Sequence, residues 1–420
     1  MTKMLCGYRV LDITQFVAGP TCSRLMAELG ADVIKVELTP IGDHARRSGL
    51  SSRKKEYPNC TQSTYFAQHN HSKRSLAINL KSNEGQALIK KLIEQSDVLV
   101  ENFAPGVIGR MGVSYNEVKK NNPEIIMCSI SFAGQEGPLA NEPGFDYMAA
   151  AYAGITEMIG ENDRSPSQVS MAVGDSATGI SAAMAVVVAL LHRERTGEGQ
   201  FIDCSLLDTY LQMHEDYIPR VGLRGDAASP ERSGSQHPNG GPTGIFECGD
   251  GSFLQMMIMP YQWPRLLQAI GMPELEKDTR FNSPQNRRKN KYELQGIIEQ
   301  WMAKIGDRQD ILTILKDQRV PVAPVLTLQE AINHPHAIQR GAIRQIKDPF
   351  IGNFPIPGQP PIFSKWSHNN ELRAPLLGEH NEEILTTICG LDKSEIVALH
   401  ENGIINTDPT FFDSPPDPLK

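Results

Sequence analysis

Over the first 130 positions, short β-rich apolar runs alternate with stretches of helical period. Val10-Leu-Asp-Ile-Thr14 predicts a strand, Ala18-Gly-Pro20 a turn with proline at a helix start, Thr21 to Leu29 a helix, and Asp32-Val-Ile-Lys-Val-Glu37 a second strand. Together they form a βαβ unit. The grammar then repeats. Leu76 to Leu80 reads as a strand, Asn83 to Gln95 as an amphipathic helix with Leu88 and Leu92 inward, and Val98 to Val100 as a strand. Tyr115 to Asn121 follows as a helix stopped before Pro123, and Ile125 to Ile130 as another strand. Such alternation predicts an α/β fold whose parallel sheet is covered on both faces.

From Phe145 to Leu191 the pattern turns helical, with Ile180, Met184, Val187, Val188 and Leu191 on one stripe. Thr196-Gly-Glu-Gly-Gln200 resets the chain into a strand, Phe201 to Ser205. Between Arg224 and Gly251 the composition shifts to Gly, Pro, Ser, Asn and Arg, which predicts a long loop or domain crossing. Helical patterns at Trp263 to Ile270 and Tyr292 to Lys304, with a strand at Pro321 to Leu326, predict a separate α+β domain over 225–330. Met256, Met257 and Trp263 read there as core more readily than as pocket. Beyond about residue 340 the chain is proline-rich and then ends in polar helix.

Composition narrows the function classes. At about 150 residues per domain, 420 residues suggest two or three domains. The longest apolar stretch, Ile180 to Leu191, falls short of the roughly 20 residues of a membrane span. MTKMLCGYRVLDI runs into a strand instead of a secretory h-region, and seven scattered cysteines read as reduced thiols, so a cytoplasmic protein is expected. A net charge of −8 argues against general nucleic-acid binding, while leaving room for a local basic pocket. Only Gly19 lies in the first βα turn, so the dinucleotide fingerprint is missing. No nucleotide P-loop, H-E-x-x-H, G-x-S-x-G or C-x-x-C occurs either. His69 and His71 read as a polar loop before a strand, and no metal site is expected.

One carboxylate stands out. Gly174-Asp175-Ser176-Ala177-Thr178-Gly179 precedes an apolar helix expected to begin near Ser176. Spacing alone leaves two readings open. Asp175 can be an N-cap accepting the first free amides. It can equally be a nucleophile kept ionised by the helix dipole, with nearby amides holding the oxyanion formed on attack at an acyl group.

Val10-Leu-Asp, Ala18-Gly-Pro20, Leu29-Gly-Ala-Asp-Val-Ile-Lys-Val-Glu37, Gly42-Asp43, Arg46 and Lys73-Arg-Ser75 recur in order with Glu101-Asn-Phe103, Pro105-Gly106 and Gly144-Phe-Asp146. Gly174-Asp175, Thr196-Gly-Glu-Gly-Gln-Phe-Ile-Asp203 and Arg373-Ala-Pro-Leu-Leu-Gly-Glu-His380 continue the series. This combination resembles the family III CoA-transferases, which include formyl-CoA:oxalate, carnitine and bile-acid CoA-transferases.

The resemblance implies a Rossmann-like large domain built from both chain ends (1–224 and 331–420), a smaller inserted domain (225–330), and an interlocked homodimer. It implies Asp175 as nucleophile, carrying first an acyl-aspartyl anhydride and then an aspartyl-CoA thioester. Acyl-CoA and a carboxylic acid are the expected substrates, with no tightly bound cofactor. CoA contacts are implied at Gln15, Phe16, Val17, Ala18, Ile78, Lys81, Asn102, Phe103, Arg110 and Phe145. Gly240 and Gly241, in His237-Pro-Asn-Gly-Gly-Pro242, resemble a glycine lid over the intermediate. Two positions depart from formyl-CoA transferase: Leu38 stands where it has arginine, and Gln15 where it has histidine. α-Methylacyl-CoA racemases of the same fold carry a histidine at the slot of Phe145, and phenylalanine cannot shuttle a proton. An intramolecular CoA shift within a dicarboxylic acid, or a non-catalytic CoA-binding role, are the remaining rivals.

Overall fold

The computed structural model describes residues 3–50, 60–238, 240–366 and 372–411. The chain divides into two compact units, one of Met1–Ala153, Ser170–Met213 and Pro335–Lys420, the other of Gly154–Val169 and His214–His334. The second unit therefore starts at His214, before the 224–251 composition shift, and takes in the earlier 154–169 stretch.

In the first unit the βα grammar becomes β1 (Arg9–Ile13), α1 (Ala18–Glu28), β2 (Asp32–Leu38), α2 (Thr64–Asn70), β3 (Arg74–Ile78), α3 (Asn83–Glu94) and β4 (Val98–Glu101). Then come α4 (Val107–Arg110), α5 (Tyr115–Asn121), β5 (Ile126–Ser131), α6 (Asp146–Tyr152), α7 (Val173–Thr196), β6 (Gln200–Ser205) and α8 (Leu206–Gln212). The six strands pair in parallel in the order β3-β2-β1-β4-β5-β6. That is the doubly wound order, with its reversal between β1 and β4. Every residue of β4 and β5 is buried, as strands covered on both faces must be. α3 shows why the helices form where they do: Ser82 caps the Gly85 amide, and Leu88, Ile89, Leu92 and Ile93 make its buried face.

The helix α7 differs from its sequence reading. Ile180, Met184, Val188 and Leu191 are 51%, 64%, 58% and 50% exposed, so the large-residue stripe faces outward. The inward face is made of Thr178, Gly179, Ala182, Ala183, Val186, Ala189 and Leu190. Small residues let two helices approach closely: a Cβ on Gly179 would stand 2.5 Å from the Ala18 carbonyl oxygen of α1. Across its 24 residues α7 contains an 18-residue window with a mean hydropathy of 1.6, the length and composition of a membrane span that its 180–191 segment alone lacks. His69 and His71 are likewise buried, not looped into solvent, and burial pushes the His69 imidazole down to about 3.

The second unit contains α9 (Tyr217–Arg224), β7 (Thr243–Glu247), β8 (Phe253–Met257), α10 (Trp263–Ile270), α11 (Pro284–Lys289), α12 (Lys291–Ile305), α13 (Arg308–Asp317), β9 (Val322–Pro324) and α14 (Leu328–Ile332). β7, β8 and β9 form an antiparallel sheet, so part of the glycine-rich 224–251 stretch is strand. Met256 and Trp263 are core there, whereas Met257 is exposed. The chain then returns to the first unit with α15 (Pro335–Gln339), a hairpin of β10 (Ile343–Asp348) and β11 (Gly352–Pro357), and helices α16 (Asn381–Thr387) and α17 (Lys393–Glu401). The hairpin lies in the proline-rich region that had predicted no strand; Pro355 and Pro357 are tolerated because its two strands pair only with each other.

Candidate active site

A cavity of about 670 Å³ opens in the first unit beyond the carboxyl ends of β1, β4, β5 and β6. It sits at the reversal of strand order, where open α/β sheets bind ligands. Gln15, Phe16, Val17, Ala18, Asn102, Phe103, Phe145, Asp146 and Asp175 are among its lining residues. Ile78 is not: it is fully buried in the sheet core, which puts its side chain out of a ligand's reach. Lys81, beyond the end of β3, and Arg110, at the end of α4, are exposed and also lie outside the cavity lining.

The switch point is tied by one amide side chain. Asn102, after β4, accepts from the Gln15 amide at 2.7 Å and donates to the Gln15 carbonyl at 2.8 Å. Next to it Phe16 holds a left-handed backbone, φ 64°, a conformation that costs a non-glycine residue on the order of 1 kcal/mol. The turn persists because buried charges hold it. The Phe16 amide donates to Asp43 Oδ1 (3.1 Å), Lys35 donates to the Thr14 carbonyl, and Lys35 pairs with Asp43 at 3.0 Å. Asp12 takes Lys73 (2.9 Å), Ser23 (2.6 Å) and both the amide and hydroxyl of Thr14. Burial alone would raise the Asp12 carboxyl, but the ammonium groups of Lys35 and Lys73 outweigh it and hold it well below the usual carboxylate range. Arg46 closes the series with a bidentate pair to Glu37 at 2.6 and 2.7 Å. The turn leads straight into α1, whose first amides have no partner within the helix, and Val17 and Ala18 there face the cavity.

Asp175 lines the same cavity. It lies within the first turn of α7, which starts at Val173 with Ala172 before it, so it is not the N-cap, and among the described residues its carboxylate accepts no hydrogen bond. The amides at this helix start are taken by other elements. The Asp175 amide donates to Asp146 Oδ1 (2.8 Å) on α6, and the Gly174 amide to the Tyr210 hydroxyl (3.0 Å) on α8. Tyr210 in turn donates to Asp146 Oδ2 at 3.0 Å. The expected oxyanion role of these two amides is therefore not open to them. The dipole does not keep the acid strong either. Burial first, and the neighbouring Asp146 second, push the Asp175 carboxyl up to about 7.

Gly240 and Gly241 belong to the second unit, and Asn239 of that loop lies outside the described residues. A Cβ on Gly241 would come within 3.2 Å of the Arg287 carbonyl oxygen, so close backbone packing is what this glycine supplies. In the sequence Asp146 stands out only as part of the Gly144-Phe-Asp146 motif, and Tyr210 carries no local signal. Nothing in the chain marks a tyrosine 35 positions beyond Asp175 as its neighbour. Glu101 was missed in the same way: it accepts from the Phe103 amide at 2.8 Å beneath the cavity, and burial pushes its carboxyl up to about 7.

Residues 5–381 match the model of CoA-transferase family III. The chain belongs to CoA-transferase family III. It is 34% identical over 96% of its length to succinyl-CoA:D-citramalate CoA-transferase of Chloroflexus aurantiacus, covering 98% of that protein. It is 32% identical to succinyl-CoA:glutarate CoA-transferase of Mus musculus, over 96% and 90% of the two chains. It is also 32% identical to formyl-CoA:oxalate CoA-transferase of Streptomyces avermitilis, over 96% and 100%. Among solved structures, a CaiB/BaiF family protein from Brucella suis superimposes with a TM-score of 0.80 at 31% identity, over 92% of this chain and all of that one. As a family III member the chain is a CoA-transferase enzyme, and the cavity at the strand ends is the place to look for its chemistry.

Proposed function

We propose that this CoA-transferase works through covalent catalysis by Asp175. The observation that carries the reading is a carboxylate that accepts no hydrogen bond among the described residues, on the wall of the cavity at the sheet's switch point. The ionised carboxylate attacks the thioester carbonyl of a donor acyl-CoA. The carbon–sulfur bond breaks, CoA leaves as thiolate, and an acyl-aspartyl anhydride remains. The thiolate then attacks the aspartyl carbonyl, expelling the donor acid as carboxylate and leaving an aspartyl-CoA thioester. The acceptor carboxylate runs the two steps in reverse. Thioester energy is conserved throughout, so no nucleoside triphosphate is required.

In this reading Gln15, Phe16, Val17 and Ala18 receive the thioester end of CoA, Asn102 and Phe103 its pantetheine arm, and Lys81 and Arg110 its phosphates. Phe145, 66% exposed at the cavity, adds apolar contact. The named relatives use citramalate, glutarate and oxalate, all dicarboxylic acids, and we assign the same class to the acceptor here. A homodimer accounts for the outward apolar stripe of α7, since a continuous apolar face of this kind marks an association surface. Met184→Glu is expected to shift the native mass toward monomer in light scattering; an unaltered dimer would remove α7 from the interface.

The decisive experiment incubates the enzyme with succinyl-CoA and a panel of short dicarboxylic acids, with the thioester products read by mass. Asp175→Ala is expected to lower exchange by at least about a thousandfold while CoA still binds. Retained exchange in that variant would overturn the mechanism.

A further inference from the structure

The first turn of α7 is capped from outside itself. Ala172 at the N-cap has no capping side chain, and the first helical bond, from the Ser176 amide to the Ala172 carbonyl, leaves the Gly174 and Asp175 amides to find other acceptors. They find them on α8 and α6. One hydroxyl links the two: Tyr210 accepts from the Gly174 amide and donates to Asp146 Oδ2, while Asp146 Oδ1 takes the Asp175 amide. The clasp is sterically closed as well. A Cβ on Gly174 would stand 2.2 Å from Tyr210 Cε2 and 2.5 Å from Asp146 Oδ1. Tyr210 itself is buried and Asp146 is 4% exposed.

We propose that Tyr210 is a positioning residue for the nucleophile: its hydroxyl joins Asp146 to the Gly174 amide in a clasp that fixes the first turn of α7. The clasp sets the direction in which Asp175 presents its carboxylate. The inference rests on the reading of Asp175 as nucleophile. Its physical content is that external capping does two jobs at once. It satisfies buried amides that would otherwise recruit the Asp175 carboxylate, and it pins the helix turn that carries that carboxylate. Burial pushes the Tyr210 phenol up to about 12, so the hydroxyl keeps its proton throughout the working range. The titratable groups around the nucleophile are Asp146 on α6, Tyr210 on α8 and Tyr65 on α2.

The test is Tyr210→Phe, which keeps the ring and removes one oxygen, measured in the intact enzyme in two independent ways. Steady-state exchange is expected to show kcat lowered about 10- to 100-fold with KM for acyl-CoA within about twofold, the signature of a displaced reacting group rather than lost binding. Separately, the infrared band of the protonated Asp175 carboxyl, assigned by its loss in Asp175→Asn, is expected to shift its pH midpoint in Tyr210→Phe. Gly174→Ala, which forces the same clasp apart, is expected to reproduce both effects with the hydroxyl still present. A Tyr210→Phe enzyme with kcat within twofold of native and an unmoved Asp175 band would overturn the proposal. The infrared arm needs no turnover: should Asp175→Ala prove active, the nucleophile reading fails while the band still decides whether Tyr210 positions Asp175.

Discussion

Two acidic groups, Asp12 fully buried on β1 and Asp175 half-buried at the cavity, are compensated in opposite ways. Beneath the floor, Asp12 is met by Lys73 and Lys35 and by donors from Ser23 and Thr14. On the wall, Asp175 has a second carboxylate, Asp146, as its neighbour and, among the described residues, no donor of its own. Burial raises both acids; cations and hydrogen-bond donors overturn that at Asp12 and send it down, whereas at Asp175 burial goes unopposed and the Asp146 charge adds to it. The lesson is that burial does not by itself mark a functional carboxylate. Withheld compensation does.

The comparison can be broken most forcefully at the floor. Asp12→Ala takes the ion partner from the buried Lys73 ammonium, while Lys35 keeps Asp43, and is expected to cost about 3–5 kcal/mol of stability, read by denaturant unfolding. A loss below 1 kcal/mol would show the floor to be as loosely compensated as the wall. Next in size is the response to pH. In the proposed mechanism the attacking species is ionised Asp175, so kcat/KM is expected to fall about tenfold per unit below pH 7 and to level off above it. The floor behaves otherwise. With its folded value depressed, Asp12 contributes stability that is present above the ordinary carboxylate range and disappears only as pH falls through that lower value. A rate constant from pH 9 down to pH 5 would erase the distinction. The smallest effect is on the stability of the wall. Raised in the folded state, Asp175 disfavours folding increasingly as pH climbs from about 4 to 7. Asp175→Asn is therefore expected to melt with the native enzyme at pH 4 but about 2–4 °C above it at pH 8, and calorimetry at the two values decides it.

How much of this could be read from the chain depends on which way side chains face. The βα alternation was legible because Val10, Leu11, Ile34 and Leu76 pack inward with ordinary periodicity. On α7 both faces are apolar, so periodicity could not tell that Gly179, Ala182 and Ala183 face the core and Met184 the outside. Asp175 was legible as a carboxylate near a helix start, with its capping role left open. What settled that question were acceptors from α6 and α8, and a contact between Asp146 and the Asp175 amide 29 positions apart has no local signature. His69 and His71 were misread for a similar reason: polarity suggested solvent, whereas neighbours distant in the chain bury them.

Gly179 carries a consequence for how such an enzyme can diversify. With a missing side chain, α7 rests directly on the backbone of α1 at Ala18, one turn beyond Asp175. The spacing between the β1–α1 turn and Asp175 is thus written in main chain, like a fixed jig, and a Cβ added at 179 would force it wider. Adaptation to a bulkier or smaller acid must leave this gauge alone and act on surfaces that the jig does not touch.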